Sequence, residues 1–61
     1  MNWQKIIHDL ENSGLRQYQI AKLSNCSQGT ISFLSTGKQA SVKYQIGEAL
    51  LKLHKDLQKN Q

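Results

Sequence analysis

Sixty-one residues allow one domain around one small core, too short for a binding domain joined to a separate ligand-binding or catalytic domain. Eight Lys and Arg against four Asp and Glu give a formal charge of +4, a basic excess that points to a polyanionic partner. A core of this size needs support; the single cysteine, Cys26, excludes an intrachain disulfide, and Cys26, His8 and His54 lack metal-ligand spacing, so a homodimer is expected and no metal or cofactor.

The chain has no proline and no strand-like alternation of useful length, so it reads as all-α with four helices. The first is predicted from Trp3 to Asn12. Trp3, Ile6, Ile7 and Leu10 form its apolar face, Asn2 is its N-cap, and Gly14 suits a left-handed stop. The second is predicted from Gln17 to Ser24, with Ile20, Ala21 and Leu23 inward and Leu15 packing back from the preceding loop. Asn25, the best non-glycine residue for a left-handed backbone, marks a sharp turn. The third begins after Ser27 as N-cap, carries Ile31 and Leu34 inward, and ends near Thr36 and Gly37. Lys38 to Ala40 form a linker. Ser41 then caps a fourth helix running to about Gln58, with Val42, Ile46, Ala49, Leu50, Leu53 and Leu57 as its main stripe. Lys59 to Gln61 are expected to fray.

The stretch QYQIAKLSNCSQGTISFLSTG, residues 17–37, has the make-up of two short helices that cross closely. A close crossing needs a small side chain, here Ala21, and a tight connection needs a residue that accepts positive φ, here Asn25. The second of the two helices is apolar on one side and carries short polar side chains on the other. Gln28, Thr30 and Ser32 are suited to reach base edges in a major groove about 12 Å wide. No carboxylate pair, Ser-His-Asp arrangement or phosphate-cradling glycine loop stands out, so no enzyme is expected.

The stretch resembles the helix-turn-helix of the Cro and lambda-repressor family. Gln17 opens the first motif helix, Asn25 stands at the turn position that is usually Gly, and Cys26 fills the apolar site after the turn. Ser27 and Gln28 open the recognition helix, Ile31 is its buried anchor, and Gly37-Lys38 resembles the family's exit loop. The flanking helices also fit. The resemblance implies a small four-helix, lambda-repressor-like domain with the motif in helices two and three. It implies a Cro-like phage repressor that binds a two-fold DNA operator as a homodimer in the bacterial cytoplasm and blocks RNA polymerase. Same-fold and other-fold alternatives are an antitoxin-type regulator and a helical interaction module, such as an antirepressor, that binds no DNA.

Base contacts are expected at Gln28, Gly29, Thr30, Ser32 and Phe33, and phosphate contacts at Arg16, Gln17, Ser27, Lys38 and Lys43, but the family's own readout does not transfer at Gly29 and Phe33. Gln28 suits a bidentate contact to adenine, against a solvated residue at a helix start. Gln17 is implied to bind phosphate and brace Gln28, against simple helix-start polarity. Lys38 and Lys43 flank the linker, where backbone N–H groups and cations grip phosphate; solvated lysines are the alternative. Arg16 replaces the usual Thr or Ser cap, giving up about 1 kcal/mol and gaining a cation. Gly29 stands where relatives often carry a base-reading side chain and lowers helix propensity by about 1 kcal/mol. It either lets the helix sit deeper in the groove or is merely tolerated. Phe33 either meets thymine methyls or sugar, or closes the core against the fourth helix. Lys5, Lys22, Lys52, Lys55 and Lys59 read as general surface charge.

Cys26 reads as core, with a redox-sensing thiol as the alternative. On the fourth helix Tyr44, Gly47 and Leu51, continued by His54, form a second line. It is expected to be the dimer seam, with Gly47 admitting a partner helix; the alternative is one wide buried face with Leu51 at its edge. No apolar run approaches the ~18 residues of a membrane span. Neither a membrane nor a small-molecule partner is expected, and a lone thiol without an export signal suits a reducing cytoplasm.

Overall fold

A computed structural model describes the backbone of residues 2–59 and the side chains of residues 2–57. Four helices follow in order: α1 (Trp3–Asn12), α2 (Gln17–Ser24), α3 (Gln28–Thr36) and α4 (Tyr44–Lys59). The expectation of fraying at Asn60 and Gln61 lies outside the described residues, whereas Lys59 ends α4.

Each connection follows from its residues. Asn2 Oδ1 accepts from the Lys5 N–H at 3.1 Å and starts α1. Gly14, at φ 110°, turns the chain out of α1, and Leu15 N–H donates back to Leu10 C=O at 3.3 Å. That bond folds Leu15 onto the core. Asn25 does the same for α2 at φ 60°, with Cys26 N–H donating to Ala21 C=O at 2.9 Å. Cys26 is thereby laid half-buried against the core. Ser27 Oγ accepts from Thr30 N–H at 3.2 Å and caps α3, which closes at Gly37, φ 81°.

The core is built from Ile6, Ile7 and Leu10 of α1, Ile20 and Ala21 of α2, Ile31 and Leu34 of α3, and Leu50 of α4. Trp3, Leu15, Cys26, Val42, Ile46, Leu53 and Leu57 pack around it. α1 packs on α3 and α4, and α2 packs on the same two helices. At about 0.8 kcal/mol per buried CH₂, these branched side chains supply the main drive to fold.

Three expectations change. Leu23 is not inward: it is 55% exposed, and Ser24 is buried in its place. At about 100° per residue, Ser24 falls between Ile20 and Ala21 on the helix circumference, while Leu23 falls outside that arc. Ser24 hides its hydroxyl by donating to Ile20 C=O at 2.6 Å. Secondly, α4 begins at Tyr44, so Ser41 is not its cap. Ser41 C=O accepts from Gln39 Nε2 at 2.8 Å, and Val42 stays outside the helix with a methyl over Gly47. Thirdly, Gly47 offers no room to another chain. A Cβ there would stand 3.1 Å from both the Trp3 ring and Val42, so the close approach at Gly47 is made within the chain.

Candidate nucleic-acid interface

α3 has no Lys, Arg, Asp or Glu anywhere along it. Ile31, Leu34 and Ser35 face inward and anchor it, leaving Gln28, Gly29, Phe33 and Thr36 exposed and Thr30 and Ser32 half-buried. The outward surface is therefore small, polar and uncharged, with one aromatic ring. Its backbone is held firmly: the Ser35 hydroxyl donates to Ser32 C=O at 2.9 Å, and His8 Nε2 lies 2.9 Å from Ser35 C=O, tying α3 to α1. Phe33 C=O accepts from the Gln39 N–H at 3.2 Å, fixing the exit from the helix.

The residues expected at the site fall into four groups. Gln28, Gly29, Ser32 and Phe33 share the outer surface of one rigid helix. Phe33 is 49% exposed, so it does not close the core against α4. Ser27 and Thr30 share a hydroxyl–hydroxyl contact of 3.0 Å, so both side chains are engaged in starting α3. Gln17 points elsewhere: its Nε2 donates to Glu11 Oε2 at 3.4 Å and to Ser35 Oγ at 3.3 Å. The brace to Gln28 is not formed, because Gln17 instead knits the start of α2 to α1 and to the buried side of α3.

Arg16 stands before α2 with its guanidinium free of capping duty, since it has no acceptor; Gln19 Oε1 reaches back to the Arg16 N–H at 2.9 Å instead. Lys38 and Lys43 are exposed on either side of the loop between α3 and α4.

Charge is distributed unevenly along the chain. Residues 12–47 contain no Asp or Glu and carry Arg16, Lys22, Lys38 and Lys43, which is the whole net charge of +4. The two flanks cancel, with Lys5, Lys52, Lys55 and Lys59 against Asp9, Glu11, Glu48 and Asp56. Among the described residues, none of the four central cations forms an ion pair. Lys22, read from the sequence as general surface charge, shares this acid-free stretch with the three cations expected at the site. Tyr18, 56% exposed, stands one turn before Lys22 on the outer side of α2. An aromatic and a lysine at i and i+4, opposite Ile20 and Ala21, was the sequence signal for that pair.

At the other end, Asp9 binds α1 to α4. Its Oδ2 lies 2.9 Å from His54 Nε2 and 3.2 Å from Lys5 Nζ. Hydrogen bonds from His54 and Lys5 hold the Asp9 carboxyl below the usual carboxylate range. His54 is therefore engaged within the chain. Tyr44, 81% exposed, and Leu51, 38% exposed, line a shallow apolar groove of about 370 Å³ with Trp3, Val42 and Gly47.

Among the described residues, no three His, Cys, Asp or Glu gather to hold a metal ion, and no helix is long and apolar enough to cross a membrane. Compared with family models, curated proteins and solved structures, the chain matches none.

Proposed function

We propose that the chain is a sequence-specific DNA-binding regulator of the Cro and lambda-repressor type, with α2 and α3 as its helix-turn-helix and α3 lying in the major groove. The observation that carries this reading is the pairing of an uncharged, firmly seated α3 with an acid-free stretch of four cations around it. Phosphates attract Arg16, Lys22, Lys38 and Lys43 and fix the register, while Gln28 and its neighbours on α3 select the sequence. The exposed start of α3 turns the Gln28 and Gly29 N–H groups, which have no intrahelical partner, toward the same polyanion, while the Thr30 N–H is taken by Ser27.

A single α3 reads few base pairs, so the active species is a homodimer on a two-fold operator, with half-sites about 34 Å apart. Tyr44 and Leu51 supply the apolar surface for pairing, without Gly47 or His54, which are used inside the chain. A dimer seated on a promoter blocks RNA polymerase.

Selection of bound duplexes from a random pool tests this reading. Enrichment of two related half-sites at a fixed spacing is the expected outcome. Failure to enrich any duplex at low salt would sink it.

A further inference from the structure

Of the four glycines, Gly29 is the one that the fold does not use. Gly14 and Gly37 have positive φ, and Gly47 gives room to Trp3 and Val42. Gly29 has neither need. It lies in ordinary helical conformation, and a Cβ there would meet nothing nearer than Ser27 Oγ at 3.8 Å. A glycine inside a helix weakens it relative to alanine and here gains no packing in return. What the bare position does offer is close access from outside to the backbone of α3.

Phe33 stands one turn further on the same outward surface. Its ring is half-exposed, and its carbonyl is pinned by the Gln39 N–H at 3.2 Å and the Thr36 hydroxyl at 3.3 Å. The surrounding outward side chains, Gln28, Ser32 and Thr36, are polar and uncharged. The surface is therefore an apolar knob beside a notch. A partner that fits it presents a small apolar group on an otherwise polar edge. In the major groove only one base edge has such a group, the C5-methyl of thymine.

We infer that Gly29 and Phe33 form a thymine-reading subsite: Gly29 lets the helix come close, and the Phe33 ring packs on the methyl group. The inference rests on the DNA-binding reading and goes one step further, to a base and an atom. Its test uses the full chain and a duplex recovered by selection, with each thymine replaced in turn by deoxyuridine. That change deletes only the methyl. The wild-type protein should lose roughly four- to tenfold in affinity at one thymine per half-site, the worth of one buried methyl group. Phe33→Ala should bind the thymine and uracil duplexes alike, while Phe33→Leu keeps part of the difference. Gly29→Ala should melt higher than the parent and yet bind the selected duplex more weakly. Thymine–uracil discrimination that is absent, or that survives Phe33→Ala, overturns the subsite and leaves the DNA reading intact. So does a Gly29→Ala protein with undiminished affinity. A wild-type protein that binds no duplex removes both.

Discussion

The middle of the chain and its two ends solve opposite electrostatic problems. In α1 and α4 cations and acids are interleaved: Lys5 pairs with Asp9, and Lys52 has Glu48 and Asp56 one turn to either side. From residue 12 to residue 47 there is no acid at all. Opposite charges placed together add modestly to stability; like charges left without acids cost stability and create a field. Both regions supply the core, with Ile6, Ile7, Leu10 and Leu50 from the ends and Ile20, Ala21, Ile31 and Leu34 from the middle. The two therefore differ in charge, and under the proposed function the acid-free middle is the part that meets a polyanion. That difference makes the comparison breakable, because changes in the two regions should have different readouts.

The largest effect belongs to the anchor beneath the site. Ile31→Ala opens a cavity at a fully buried position and should cost about 2–5 kcal/mol of stability, whereas Leu23→Ala, at an exposed position on the neighbouring helix, should stay within about 0.5 kcal/mol. Chemical denaturation of both variants measures the contrast. Equal losses would mean that α3 is not seated as described.

On α4, Leu51→Glu removes apolar contact and places like charges on symmetry-related positions. Sedimentation should show a monomer that keeps its helical signal and binds the operator far more weakly. A variant that stays dimeric moves the interface off the Tyr44 and Leu51 groove. A smaller change on α3, Gln28→Ala, should cost about 1–3 kcal/mol on the best operator and relax preference at one base position per half-site. Uniform loss across sequences would make Gln28 a phosphate ligand rather than a reader.

The smallest effect comes from the balanced ends and depends on pH. Asp9 is held below its ordinary range, so its contribution is fully present above that range and is lost as pH falls through the lowered value. Melting temperature followed against pH should show a shallower acid decline for Asp9→Asn than for the parent. Parallel declines would show that the His54 and Lys5 contacts do not carry this share.

Much of this architecture could be read from the residues, and the misses have physical causes. The starts and stops of the first three helices were legible because Asn2, Gly14, Asn25, Ser27 and Gly37 each have a backbone preference that acts locally. The start of α4 was not, because Ser41 is a good cap by type while Val42 is drawn out of the helix to cover Gly47. Leu23 was misjudged because hydrophobicity outweighed angle, and Ser24 hides its hydroxyl in its own helix. Gly47 announced a close approach but could not say whose. Among the site residues, Gln28 was legible as an outward position once Ile31 and Leu34 were placed inward, whereas Phe33 stayed open between the outer surface and the core until its exposure decided it. The direction of Gln17 depends on Glu11 and Ser35, which only folding brings near it. The acid-free stretch needed no structure at all; it is visible when charges are counted by segment rather than over the whole chain.

The most direct test of the central claim is the salt dependence of duplex binding for two lysine variants, Lys38→Ala from the acid-free stretch and Lys52→Ala from α4. Counterion release makes the logarithm of affinity fall linearly with the logarithm of salt concentration, with a slope set by the number of phosphates neutralised. Lys38→Ala should weaken all duplexes alike and flatten that slope by about one unit, while Lys52→Ala should leave it at the parent value. Equal slopes for the two variants, or a slope changed by Lys52 alone, would contradict the assignment of DNA to the middle of the chain.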